Sequence, residues 1–293
     1  MWRLVVIGVV LIGTPGFAQK CLSPDDCTVQ IHVRRVAIRS AEPLIKAHER
    51  QTVADIRRLR GDRSNDSWQN NLKDIAEEIV KEAYQNDGYF KAEAQANVTI
   101  LRSDESHASV DILVTVNPGE RYRQGAIRWK GMKRFTAEQL SVLIPDHSGQ
   151  VFNRQRIVDG LQAVTKLYES VGYLNFTLVP TPDFPDSTTV SFTMDLDEGG
   201  EFTLGPVIVS GFTRERLDQL DKSVQPLLGQ PFTPIIREQI PSRVSSLAPC
   251  AGPPEVQMHM DESARTISYF FDYSDCYNSW LESLDAVPDP RSK

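Results

Sequence analysis

An internal repeat of about eighty residues limits this chain to a tandem architecture. Laying 117–132 (NPGERYRQGAIRWKGM) over 197–212 (DEGGEFTLGPVIVSGF) at an offset of 80 brings Gly119 onto Gly199, Tyr122 onto Phe202, Gly125 onto Gly205, Ile127 onto Val207 and Gly131 onto Gly211. The same offset carries Gly149, Gln150 and Phe152 onto Gly229, Gln230 and Phe232. It also sets the alternating Val110, Ile112, Val114 and Val116 on Val190, Phe192, Met194 and Leu196. At an offset of 84, Tyr84 and Gly88-Tyr89 fall on Tyr168 and Gly172-Tyr173, and Trp68 falls on Phe152. Three tandem copies follow, 28–118, 119–198 and a divergent 199–276, with a leader at 1–18 and a tail at 277–293.

Each copy reads as β-α-α-β-β. In the middle copy a short strand at 126–129 ends at Gly131, where a residue without Cβ lets the chain turn. Thr136 then sits three residues before Gln139, the spacing of a capping box at a helix start. After Gly149 and Phe152, the apolar residues Ile157, Leu161, Val164, Leu167, Tyr168 and Val171 recur at helical spacing, so one helix face is buried. Gly172 stops that helix. A strand of Leu174, Asn175, Phe176, Thr177, Leu178 and Val179 runs into a Pro- and Asp-rich turn, and the alternating 190–196 strand returns. The fold class expected is α+β: three units, each a three-stranded mixed sheet covered by two helices.

The copies differ. The first opens at 31–38, lacks the closing glycine, and carries a basic connection at 57–63 that reads as a surface loop. The third has Thr233-Pro234 as a helix start, but Pro241 falls mid-helix, where it removes a hydrogen bond and should kink or split the element. Gly252-Pro253 replaces Gly-Tyr there, and a hairpin pairs 255–260 with 267–273 about residue 263. The cysteines are Cys21, Cys27, Cys250 and Cys276. Cys250 and Cys276 lie thirteen residues either side of the hairpin centre, facing each other across an antiparallel pair, as a disulfide needs. Cys21 and Cys27 close a short loop, and Cys-x-x-Cys zinc spacing is absent.

The first eighteen residues carry one basic residue, the apolar run 4–12 and small residues up to Ala18, the pattern of a cleaved secretory signal. An even cysteine count agrees with an oxidising compartment. No second apolar run of spanning length follows, so the mature chain is expected to lack a transmembrane segment. Thirty-nine acidic residues against 32 basic ones, a net charge of −7, argue against a nucleic-acid partner.

The strand and glycine of Ile127-x-Trp129-x-Gly131, Gly149-Gln150-x-Phe152, Leu167-Tyr168-x-x-x-x-Gly172-Tyr173 and Asp197-Glu198-Gly199 resemble the POTRA (polypeptide-transport-associated) domain. That domain occurs in tandem in barrel-assembly, translocation-and-assembly and two-partner-secretion proteins. The resemblance implies a periplasmic, non-catalytic adaptor that pairs an exposed strand edge with an extended client or a partner, a form of β-augmentation. The edge it points to is 174–179, and the partners it implies are polypeptide clients or an outer-membrane β-barrel assembly component. Gly88, Tyr89, Gly131, Gly149, Phe152, Tyr168, Gly172, Tyr173, Gly211, Gly229 and Phe232 are its structural signature. The sequence after the third unit holds no series of alternating ten-residue segments, so action as an array, or through a separate barrel, is expected.

No catalytic, cofactor-binding or metal-binding motif stands out. The five histidines are isolated, and nucleophile-elbow, phosphate-loop and dinucleotide patterns are absent. No enzyme activity, cofactor or small-molecule substrate is expected. An envelope scaffold that bridges folded proteins without touching clients is the alternative reading, and a secreted enzyme the third.

Overall fold

The computed structural model describes residues 28–59, 61–62, 68–103, 107–249 and 254–274. The leader, the four cysteines and the tail lie outside the described residues, and with them the expected signal cleavage and disulfides. The chain divides into two compact units. The first takes the residues up to Lys130 with 144–160 and 179–195, and the second takes 131–143, 161–178 and the residues from Leu196 onward.

The first repeat comprises β1 (Thr28–Ser40), α1 (Lys46–Arg57), β2 (Gly61–Asp62), α2 (Trp68–Asn86), β3 (Glu93–Ser103) and β4 (His107–Asn117). Its sheet order is β2-β1-β4-β3, with β1 parallel and β3 antiparallel to β4. The sequence reads a surface loop at 57–63. Instead α1 runs through Arg57, and Gly61 and Asp62 pair with Val29 and Thr28, giving this sheet a fourth, two-residue strand. The core follows the two periods of the pattern. Ala108, Val110, Ile112, Val114 and Val116 alternate inward on β4, and Leu72, Ala76, Val80 and Ala83 form the buried stripe of α2.

The middle repeat comprises β5 (Arg123–Lys130), α3 (Ala137–Ser141), α4 (Arg154–Glu169), β6 (Thr177–Asp183) and β7 (Thr189–Asp197), in sheet order β5-β7-β6. Thr136 and Gln139 form the reciprocal capping box that their spacing anticipates. Gly131 has φ +85°, and a Cβ there would lie 1.9 Å from the Leu196 carbonyl oxygen, so glycine is required on two counts.

The third repeat comprises β8 (Thr203–Ser210), α5 (Arg214–Val224), α6 (Pro234–Ser246), β9 (Glu255–Asp261) and β10 (Thr266–Asp272). Its order is β8-β10-β9, with β8 parallel and β9 antiparallel to β10. Three mixed sheets with paired helices make this the α+β repeat architecture read from the sequence.

Pro241 does not split its helix. α6 is continuous over Pro234–Ser246, with Thr233 as N-cap and Pro234 at the first helical position. Proline at 241 deprives the Arg237 carbonyl, four residues back, of its helical donor. The Tyr269 hydroxyl of β10 donates to that oxygen at 3.4 Å, a long bond that partly fills the gap. Tyr269→Phe should cost about 0.5–1 kcal/mol in urea unfolding. In a Pro241→Ala background, where residue 241 supplies the donor, the same change should cost less. Equal costs in both backgrounds would show that the hydroxyl does not substitute for the missing bond.

Candidate partner-binding strand edges

In each repeat the strand that follows the long helix is an edge: β3, β6 and β9. An edge leaves every second backbone N–H and C=O without a ladder partner. What each edge offers depends on the residues that carry those groups.

The edge expected from the sequence, Leu174 to Val179, is shifted. β6 begins at Thr177, so Thr177, Leu178 and Val179 are in the strand and Leu174, Asn175 and Phe176 precede it. Phe176 stacks on Tyr168, with ring centroids 4.9 Å apart. The Asn175 side-chain oxygen accepts from the Gly200 N–H at 3.3 Å. These two side chains hold the approach to β6 instead of pairing it. The strand then runs through Pro180 and Pro182, which the sequence reading leaves in the turn.

β9 carries the opposite character, and the sequence reading missed it. Val256, Met258 and Met260 lie across from Phe271, Tyr269 and Ile267 of β10, all three of them buried. The β9 residues share that inward face yet remain 46%, 56% and 40% exposed. An alternating apolar stripe thus sits beside an open backbone edge. The signal was available as the alternation of Val256, Met258 and Met260, but alternation alone does not reveal that the stripe lies uncovered.

The repeat signature builds the junctions between successive copies. Within the first unit, Tyr122 N–H donates to the Gly88 carbonyl at 2.8 Å and Phe152 N–H to the Tyr122 carbonyl at 3.0 Å. Gln124 N–H donates to Gln150 O and Gly149 N–H to Gln124 O, both at 2.8 Å. Within the second unit the same four bonds recur at the repeat offsets of 80 and, for the glycine acceptor, 84. Phe202 N–H reaches Gly172 O at 2.8 Å, Phe232 N–H reaches Phe202 O at 2.7 Å, Leu204 N–H reaches Gln230 O at 2.9 Å and Gly229 N–H reaches Leu204 O at 2.8 Å. Tyr89 and Tyr173 return to the helix: each N–H donates to the carbonyl of Tyr84 or Tyr168 at 3.0 Å, and each ring meets that tyrosine edge-on at 5.8 Å. Gly211 closes β8 with φ +80° as Gly131 closes β5.

The POTRA family model, described as a surface antigen variable number repeat, matches residues 122–199, which open on the junction residue Tyr122 and end two residues after β7. The middle repeat thus matches the POTRA domain, and the repeats on either side share its order of elements. The crystal structure of POTRA domains 3–5 of BamA from Haemophilus influenzae aligns over 86% of this chain and 99% of that one, with a TM-score of 0.56 and 18% identity, a likeness of fold. The outer membrane protein assembly factor BamA of Neisseria meningitidis serogroup B is 23% identical over 203 residues, 64% of this chain and 25% of that protein. The chain spans about a quarter of the length of that curated relative.

In the middle POTRA domain a buried carboxylate fixes the turn after Gly131. Glu198 Oε1 accepts from the N–H groups of Lys133 and Arg134 at 2.7 and 2.8 Å and from the Tyr168 hydroxyl at 2.7 Å. Burial alone would raise the Glu198 pKa, but the two backbone donors and the hydroxyl outweigh it and hold the group below the ordinary glutamate value. The Tyr168 phenol is pushed up, first by burial and then by its bond to this carboxylate. Among the described residues no group of three or more His, Cys, Asp or Glu side chains is placed to hold a metal ion, and no helix is long and apolar enough to cross a membrane.

Two outcomes follow. Gly172→Val should lower stability by about 2 kcal/mol or more, because φ is +86° and the new Cβ would lie 2.9 Å from the Phe202 carbonyl oxygen. An unchanged urea midpoint would remove the glycine from the junction. The ionised Glu198 stabilises the fold above the unfolded value near pH 4.3, and that contribution is lost as pH falls through the lower folded value. Glu198→Gln should therefore flatten the acid limb of a stability-versus-pH curve, while an unaltered limb would show that other carboxylates set it.

Proposed function

We propose that this chain is a periplasmic, non-catalytic adaptor in outer-membrane protein assembly or transport, and that it takes up extended polypeptide on its strand edges. The relative that carries the name outer membrane protein assembly factor supports the assignment to assembly. Export to the periplasm rests on the leader pattern and cysteine usage of the sequence. A periplasmic adaptor works on polypeptides crossing the envelope unfolded, and an added strand is the way an extended chain gains backbone hydrogen bonds on a folded surface.

The observation that carries the reading is β9. A strand whose inward-face residues Val256, Met258 and Met260 stay half exposed gives an incoming strand both ladder partners and an apolar stripe beside them. The edge at 174–179 is the weaker candidate. Pro180 and Pro182 have the same parity, so both remove donors from one side of β6, and prolines in edge strands place that side toward solvent. Leu178 is then the one outward donor left among positions 178, 180 and 182.

Met258→Glu tests the site. The side chain is 56% exposed, so the change should leave the fold within about 0.5 kcal/mol. In-cell crosslinking of the tagged protein, followed by mass spectrometry, should recover outer-membrane proteins in transit or an assembly component, and Met258→Glu should remove most of that yield. Recovery of a single folded partner, indifferent to Met258→Glu, would make the chain an envelope scaffold instead.

A further inference from the structure

The three edge strands differ at one backbone position. Counted from the start of β3, β6 and β9, the fourth residues are Ala96, Pro180 and Met258. Each occupies the inward-facing parity of its strand: Ala96 is buried, Pro180 is partly buried, and Met258 lies across from buried Tyr269. In β3 the N–H of this residue points away from β4 and is already taken. Glu77 of α2 accepts it through Oε1 at 2.8 Å. In β6 the same position has no N–H at all. In β9 it has one.

We infer that Glu77 is a built-in guard on the β3 edge, occupying the donor that an incoming strand's carbonyl would use, and that an extended, basic polypeptide segment binds there by displacing it. This rests on the reading that strand edges are the binding sites. The displaced carboxylate has somewhere to go: Lys73, one turn earlier on α2, holds its Nζ 3.8 Å from the same Oε1. The one oxygen thus meets Ala96 N–H closely and Lys73 at longer range, and a partly exposed carboxylate that gives up Ala96 N–H to an incoming strand keeps Lys73 as its partner.

The groove between α2 and the start of β3 has a volume of about 370 Å³ and is lined by four carboxylates, Asp74, Glu77, Glu78 and Glu93, against one cation, Lys81, which lies 3.3 Å from Glu78. That lining sets the chemistry of the occupant, because a strand laid there places alternate side chains against carboxylates. The guard belongs to the first repeat alone. At the repeat offsets its counterparts are Leu161 and Pro241, neither of which has an oxygen on its side chain.

The test uses the full chain and a fluorescent peptide of alternating valine and lysine, about ten residues long. Glu77→Ala should bind this probe about tenfold more tightly than the wild type, a difference of about 1.4 kcal/mol. Lys73→Ala, which leaves the displaced carboxylate without its remaining partner, should bind it more weakly. Glu77→Gln keeps a neutral oxygen acceptor and should fall between wild type and Glu77→Ala. Hydrogen exchange gives a readout without any ligand: the Ala96 amide should exchange faster in Glu77→Ala than in the wild type. An Ala96 amide that exchanges equally in both would overturn the guard. So would binding that Met258→Glu abolishes and Glu77→Ala leaves unchanged, an outcome in which edge binding itself survives. If no variant binds the peptide while the Ala96 amide does speed up, the edge-binding reading fails and the binding role of Glu77 falls with it.

Discussion

The structure depends on a backbone hydrogen bond accepted by the glycine that follows a long helix. At Gly88 and again at Gly172 the carbonyl takes the N–H of the aromatic residue that opens the following repeat, Tyr122 or Phe202. That residue's own carbonyl then takes the N–H of Phe152 or Phe232, which leads into the next long helix. Three stretches of chain are tied by two consecutive bonds, and the glycine has to adopt a positive φ to present its carbonyl there. Because the partners are backbone groups, the side chains around them can drift while the junction persists. This explains how Tyr122 and Phe202, or Gln124 and Leu204, can exchange without loss of the arrangement.

With the junction fixed in this way, the freedom left to each repeat lies at its edge strand. In each repeat the strand that follows the long helix lies at an edge of its sheet. The Glu77 carboxylate takes one donor of the β3 edge, Pro180 and Pro182 remove two from the β6 edge, and β9 lies open beside an apolar stripe. The first two are ways by which natural sheets limit unwanted pairing, a charge and a proline, and the third edge stays available. One fold repeated three times can therefore carry one open edge, one guarded edge and one that is nearly silent.

Much of this was legible in the sequence. The repeat offsets, the capping box at Thr136 and Gln139, the helix start at Thr233-Pro234 and the glycines at strand and helix ends all follow from local rules, and each stands where its pattern puts it. What was not legible depends on contacts between residues far apart in the chain. Strand propensity extended the edge back to Leu174, but Phe176 is drawn onto Tyr168 and Asn175 onto Gly200, so pairing starts only at Thr177. The helix at Pro241 stays whole, and the orphaned Arg237 carbonyl meets a hydroxyl 32 residues downstream, which no helical rule anticipates. β2 exists because Gly61 and Asp62 come back to the start of β1. Glu77 looks like any surface glutamate until its carboxylate is seen on Ala96 N–H.

The measurement closest to the central claim is amide hydrogen exchange across the chain with and without a bound extended polypeptide. An added strand on β9 protects every second amide of 255–261, Met258 among them, and leaves the intervening amides and the helices α5 and α6 unchanged. Protection that spreads over the helices, or that spares β9 altogether, would contradict recognition by its backbone edge.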